Sequence, residues 1–363
     1  MKNFITFRNQ WILALNFLFV VSILSAQGSF ASTTVKPDSS ILPENSKSIF
    51  DELKGEEELK ITLESNFTKL VETKNDDKYQ PAILSYVNEE GFQIQTALKI
   101  KARGKFRRRV CDFPPIKLKF YKDDLSDAGF STSYKSIKLV THCMDSEEDK
   151  QNVIKEYLAY KLLNQLTSES FEVKLVEITY VDYSTDEEPI VRYGFLIENT
   201  KEMSDRLVGD EIEKYNMELK ALNSNDRMIF SMFQFMIGNT DWKTNIMHNI
   251  KIVESDDDKE IMMVPYDFDF AGLVNASYAK PNPDYSQVSV RQRIYMDKVK
   301  NLEEMKGIIR YFKKHKEGLF DTVKNMDELS KKNKKDILQY LKSFYEVLSD
   351  PKQARLAFVS ESL

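Results

Sequence analysis

The chain has 363 residues, 42% of them hydrophobic and 12% aromatic, enough to bury a sizeable core in one large domain or two smaller ones. Its 52 basic and 57 acidic side chains give a formal net charge of -5, without the positive excess that marks nucleic-acid or membrane-surface binding. Two cysteines and three histidines are too few and too scattered for a zinc cluster.

At the N-terminus Lys2 and Arg8 precede the apolar run Trp11–Leu24, and small residues follow at Ser25, Ala26, Gly28, Ser29 and Ala31. Residues 1–31 therefore read as a signal peptide, with an uncleaved anchor as the alternative. No other stretch reaches the roughly 18 apolar residues of a membrane span. Residues 32–48, rich in Ser, Thr and Pro, read as a flexible linker. Export to the periplasm or beyond makes a Cys111–Cys143 disulfide the expectation, against two free, partly buried thiols.

Leu59–Leu63 alternates as a strand, and Phe67–Val71 reads as a short turn or helix. Pro81–Val87 and Phe92–Ala102 form a hairpin over Asn88–Gly91, with Leu98 and Ile100 on one face and Lys99 and Lys101 on the other. A basic loop, Arg103–Arg109, follows. Ile116–Tyr121 then alternates with Lys117 and Lys119 on its polar face, and Ser136–Thr141 is a further strand. Glu148–Leu166 has helical spacing, and Lys174–Tyr183 and Ile190–Ile197 are strands. In the second half Asp226–Ile237 is a nearly all-apolar helix ended by Gly238. Ile250–Val253 and Ile261–Val264 flank the polar turn Glu254–Lys259, and Asn275–Arg293 is irregular. Leu302–Lys314, Leu319–Val323 and Lys332–Leu348 are amphipathic, and 351–363 reads as a tail.

Candidate chemistry concentrates between Ile237 and Gly272. In protein kinases one Asp orients the attacking hydroxyl, and an Asn five residues on and a later Asp hold the metal. Here Asp241 is followed by Asn245 after four residues and by Asn249 after eight. Asn249 immediately precedes the alternation Ile250–Val253, as the kinase Asn opens a strand, and is preferred. Asp267 and Asp269 close the second apolar run, and paired carboxylates there suit Mg²⁺ or Mn²⁺. The plain reading of Asp241 and the two asparagines is backbone capping in a long loop. Arg103–Arg109 could cover a polyphosphate or be a solvated loop. Lys117 or Lys119 could reach nucleotide phosphates with Glu156 as ionic partner; alternatively all three are surface charges. RNA binding is disfavoured by export and by the lack of an aromatic ladder.

The segments ARGKFRRRVCDFPPIKLKF, SIKLVTHC, KEYLAYKLL, IGNTDW with HNIKI, and VPYDFDFAGLVNASYAKP together resemble the spore coat protein H (CotH) kinase-like family, in its exported bacterial branch, over residues 95–295. The resemblance implies an atypical protein-kinase-like fold that binds ATP with Mg or Mn and phosphorylates a protein. Asp241 would be the catalytic Asp, Asn249 the metal-binding amide, and Asp267 or Asp269 the metal-binding carboxylate. Arg103 would lie in the phosphate-facing RxRG segment, here Lys101-Ala102-Arg103-Gly104. Lys117 or Lys119 would be the phosphate lysine, with Glu156 as its partner.

The expected fold is thus α+β and two-lobed, with an antiparallel-sheet lobe over residues 49–198 and a mainly helical lobe over 199–350. The expected activity is phosphoryl transfer from ATP to a protein acceptor, without nucleic acid. Two other readings stand beside it: a non-catalytic kinase-like scaffold of the envelope or coat, and a metal-dependent phosphoester hydrolase using Asp241, Asp267 and Asp269.

Overall fold

Alternation in the first half dictates strands with one apolar face, and the strands bury that face by closing on themselves. A computed structural model describes residues 46–55 and 58–360. The expected signal peptide and most of the expected linker lie outside the described residues. At the linker's end Ser48 is buried, and its hydroxyl accepts from Asp51 N to cap α1 (Ile49–Lys54).

The chain then forms β1 (Leu59–Ser65), α2 (Phe67–Glu72), β2 (Gln80–Val87), β3 (Gln93–Ala102), α3 (Arg107–Val110), β4 (Ile116–Phe120), α4 (Lys122–Asp127), β5 (Ser136–Val140), α5 (Glu147–Asn164), β6 (Val173–Asp182) and β7 (Ile190–Ile197). Seven strands make a closed barrel in the order β1-β2-β3-β4-β5-β7-β6. The expectation is an antiparallel sheet, and the structure corrects it to a closed barrel: β1 and β6 pair in parallel, Leu59 opposite Val176 through Ser65 opposite Asp182. Period-two alternation says which side chains point inward but not which distant strand lies alongside. Leu63, Leu84, Leu98, Leu118, Leu139 and Ile178 fill the interior, each 0% exposed. Closure leaves the barrel without a free edge.

The second half contains α6 (Thr200–Arg206), β8 (Gly209–Ile212), α7 (Ser224–Ile237), β9 (Ile250–Ser255), β10 (Ile261–Pro265), α8 (Lys306–Lys324), α9 (Lys331–Ser349) and α10 (Pro351–Phe358). β8 extends the β9–β10 hairpin into a three-stranded sheet. With the sequence GDEI it carries no periodic signal that could announce a strand. A mixed α+β architecture is therefore correct. In place of a clearly two-lobed kinase arrangement, the barrel interior forms one core, and α5 packs Ile154, Leu158 and Leu162 into a second with Met232, Phe312 and Phe344 of the later helices and with Phe195 of the barrel wall. The described residues fall within one compact unit that starts at Leu42.

The expected tail is also corrected. Asp350 caps α10 and Pro351 opens it, a helix start that was legible in the sequence. Phe358 is 0% exposed, with ring centroids 4.9 Å from Tyr295 and 5.2 Å from Phe235. Cys111 and Cys143 are bridged as expected, with Cα atoms 4.5 Å apart. Phe358→Ala should lower unfolding free energy by about 3–5 kcal/mol in urea denaturation, whereas a true tail would leave it unchanged.

Candidate active site

Asp241 is placed by the end of α7. Gly238 takes the left-handed conformation (φ 68°) that stops this helix, and a Cβ there would fall 2.1 Å from the Tyr340 hydroxyl. Asn239 Oδ1 accepts from Asp241 N at 3.0 Å, while Gly272 N and Leu273 N donate to Gly238 O and Ile237 O. The next residues fold back: Lys243 and His248 exchange backbone hydrogen bonds at 3.1 and 2.9 Å. This small hairpin absorbs the extra length between Asp241 and Asn249. Asn249 Nδ2 donates to Asp241 O at 2.8 Å and to Asp241 Oδ2 at 3.0 Å, which leaves Asn249 Oδ1 without a donor among the described residues. Asn245 is exposed on the turn, away from this contact. His248 Nε2 lies 3.0 Å from Asp241 Oδ1, and that hydrogen bond raises the imidazole above its ordinary pKa.

Asn249 also anchors the second pair of carboxylates. Its carbonyl accepts from Tyr266 N at 3.0 Å, so Asp267 emerges beside it, with a left-handed φ of 63°. Asp267 N donates to the Tyr160 hydroxyl at 2.9 Å, and the Asp267 side chain is 44% exposed. Asp269 goes the other way. Its Oδ2 accepts from Arg107 Nε at 2.9 Å and from the Tyr278 hydroxyl at 3.1 Å. Arg107 Nη2 donates to Glu156 Oε2 and lies 3.8 Å from Asp267 Oδ1. Phe106, one residue earlier, packs on Phe270 and Tyr278 at 5.2 and 5.9 Å. One buried guanidinium thus faces three carboxylates. Burial holds Glu156 and Asp269 above the usual carboxylate range; Arg107 opposes the shift and Asp267 adds to it. Glu156 Oε1 is buried and accepts from nothing among the described residues.

A basic face borders this segment. Lys99 sits opposite Lys119, Lys101 opposite Lys117, and Lys117 opposite Lys138 on the outside of the barrel. Like charges in register are unfavourable. Lys101 is relieved by Asp77 at 2.8 Å, and Lys119 lies over the Tyr79 ring at 5.2 Å. Lys138 has no carboxylate partner among the described residues. Its Nζ donates to Thr200 Oγ1 at 3.1 Å and stands 5.6 Å from the Tyr266 ring, one residue before Asp267. Burial, then Arg103 and Lys251, bring its ammonium down to about 7. Burial also lowers Lys117, with Lys101 and Arg103 adding to it. Arg103 is held through its backbone N–H on Pro115 O at 2.8 Å. On the other side of Asp241 a cleft of about 370 Å³ is lined by His248, Lys243, Phe270, Lys280 and Asn282.

The structure therefore gathers Asp241, Asn249, Asp267 and Asp269 around the base of the β9–β10 hairpin and sets Arg103, Lys117 and Lys138 nearby. The expected lysine partner of Glu156 is corrected: Arg107 takes that position, and Lys119 lies with Lys99 and Tyr79. Arg107, Lys138, His248 and Tyr278 were missed. For Lys138 the signal existed, since it shares the polar face pattern of Lys117 and Lys119 in the next strand. For a metal, the available donors are oxygens of the kind hard cations take. No three His, Cys, Asp or Glu side chains converge as a closed cage among the described residues. Asn249 Oδ1 and the Asp267 carboxylate would be the protein's donors to an ion that completes its shell with phosphates and water, as Mg²⁺ does at nucleotide sites.

Replacing Arg107 by Met should cost about 3–5 kcal/mol near neutral pH, because Glu156 and Asp269 stay buried without a counter-charge. Both carboxyls already titrate above their unfolded values, so the folded state keeps a proton that the unfolded chain releases. Stability therefore falls as pH rises through that window, and more steeply in the variant. Urea denaturation at pH 5 and pH 8 checks this: the loss in the variant should be larger at pH 8.

No family model and no curated protein matches the chain. The resemblance to the CotH kinase-like family thus rests on the motif residues alone. Among solved structures, the crystal structure of a Helicobacter pylori proinflammatory kinase, CtkA, aligns with a TM-score of 0.39 and 9% identity, covering 67% of this chain and 95% of that one. A likeness at that level supports no conclusion about this chain's fold or chemistry.

Proposed function

We propose that the protein is an exported, kinase-like phosphotransferase that takes the terminal phosphoryl group of ATP and passes it to a protein hydroxyl. The observation that carries this reading is the meeting of Asp241, Asn249 and Asp267 at the base of one hairpin, beside a lysine face whose nearest member lacks a carboxylate partner among the described residues. Arg103, Lys117 and Lys138 would hold the phosphates. Asn249 Oδ1 and Asp267 would hold Mg²⁺ or Mn²⁺, which supplies charge neutralisation on the phosphates when bound. Asp241 orients the acceptor hydroxyl and receives its proton as the new O–P bond forms and the bond to the leaving diphosphate breaks. His248 and Asn249 fix the Asp241 carboxylate, and the cleft beside it accommodates the acceptor side chain.

Asp269 has a structural part in this reading, because Arg107 and Tyr278 hold its Oδ2 within the buried cluster. The non-catalytic scaffold keeps one point in its favour: Glu156 is neutralised by Arg107 rather than by a phosphate-binding lysine.

Asp241→Asn should reduce transfer of label from γ-labelled ATP to protein by about 10²–10⁴-fold, with nucleotide affinity unchanged. An equal rate in the variant would favour the scaffold. Lys138, at about 7 in the free protein, is largely neutral at pH 8, and a bound polyphosphate raises its pKa. ATP binding near pH 7.5 should therefore take up a proton, measured by calorimetry in buffers of different ionisation enthalpy, and affinity should fall as pH rises above 7. Lys138→Met should weaken binding by about tenfold or more and remove most of the uptake.

A further inference from the structure

One mouth of the barrel holds a second cavity, of about 360 Å³, that phosphoryl transfer does not use. Phe67 and Val71 of α2, Tyr180 of β6, Ile190 of β7, Phe113 and His142 form its wall. The rings are ordered against one another. Phe113 stacks on His142 with centroids 4.9 Å apart and planes 10° off parallel, and Tyr180 meets Phe113 and Phe67 edge-on at 4.9 and 5.3 Å. The disulfide sets the stack, since Phe113 follows Cys111 by two residues, His142 precedes Cys143, and Phe113 N donates to Cys143 O at 3.2 Å.

Two polar atoms on this wall are buried without a hydrogen-bond partner among the described residues: His142 Nδ1 and the Tyr180 hydroxyl, on residues only 7% and 4% exposed. Buried polar groups are rarely left so, and mouths of barrels are recurrent ligand sites. Burial lowers the imidazole to about 4, so it is neutral near pH 7 and does not repel a cation. The rim is acidic. Glu72, Glu187 and Glu188 have no ion pair among the described residues, and Asp182 accepts from Thr68 N and Oγ1 at 2.7 and 2.8 Å. The neighbouring guanidinium, Arg192, is held by Asp145 at 3.0 Å.

We propose that this mouth binds a small organic cation, with an aromatic or apolar body against the rings of Phe67, Phe113, His142 and Tyr180 and a protonated amine at the glutamate rim. Aromatic faces and carboxylates both favour a positive head group, and the same rim repels an anion of equal shape. Neither the ligand class nor the residues belong to the nucleotide site.

The test uses three probes with one ring system: tryptamine, indole and indole-3-acetate. Their binding to the protein is followed by saturation-transfer NMR and calorimetry. Tryptamine should bind saturably at millimolar concentration or below, and indole-3-acetate at least about tenfold more weakly, as several exposed charge pairs together would give. The variant carrying Glu72→Gln, Glu187→Gln and Glu188→Gln alters only exposed side chains. It should bring the two charged probes close to equal affinity while leaving indole binding unchanged. Equal binding of the anion by the unaltered protein, absence of saturable tryptamine binding, or full retention of the cation preference in the triple variant would each overturn the proposal.

Discussion

The Arg107 guanidinium is the contact on which the candidate site depends. It joins three stretches far apart in sequence: the short helix α3 at the end of the basic segment, helix α5 through Glu156, and the segment after β10 through Asp269 and Asp267. A buried ion pair of this kind adds little net stability, since desolvation offsets most of the attraction. Its effect is geometric. Asp269 is held against Arg107, and Asp267, two residues earlier, lies beside Asn249 through the Tyr266 N–Asn249 O hydrogen bond. The helix bearing Arg107 is held at its other end, where Cys111 N donates to Arg107 O at 2.9 Å and the disulfide ties Cys111 to the end of β5.

The charge distribution gives this arrangement a direction. Carboxylates outnumber the guanidinium they share, and across from them lysines stand in register with lysines. The unfavourable energy of the lysine ladder is only partly relieved, by Asp77 and by the Tyr79 ring. A polyanion along this face would relieve the rest, and a divalent cation beside Asp267 would offset the carboxylate excess. A metal-bound nucleotide would meet both needs together, and in this way the charge distribution supports the proposed function.

Much of this was legible in the residues. Alternation located the barrel strands within a few positions, the apolar run before Gly238 located α7, and the residues that open and close the β9–β10 hairpin located Asp241, Asn249 and Asp267. What was not legible depends on contacts made across long separations. The parallel β1–β6 seam has no local signature, because an inward Leu63 looks the same whichever strand lies beside Glu64. Arg107 was one of five basic residues between Arg103 and Arg109, and only the fold selects which of them is buried. His248 read as an isolated histidine because the Lys243–His248 hairpin that brings it to Asp241 has no periodic pattern. Helix α10 had its Asp-Pro start in view, but a short helix at a chain end earns its place only through Phe358 and the core it enters.

A crystal structure of the protein grown with ADP and Mn²⁺, with the metal located by its anomalous signal, tests the central claim most directly. The account predicts Mn²⁺ coordinated by Asp267 and Asn249 Oδ1, nucleotide phosphates against Lys138 and Arg103, and the Arg107 contacts to Glu156 and Asp269 intact. Manganese bound between Glu156 and Asp269 with Arg107 displaced, or no ordered metal and nucleotide in crystals soaked to saturation, would contradict it.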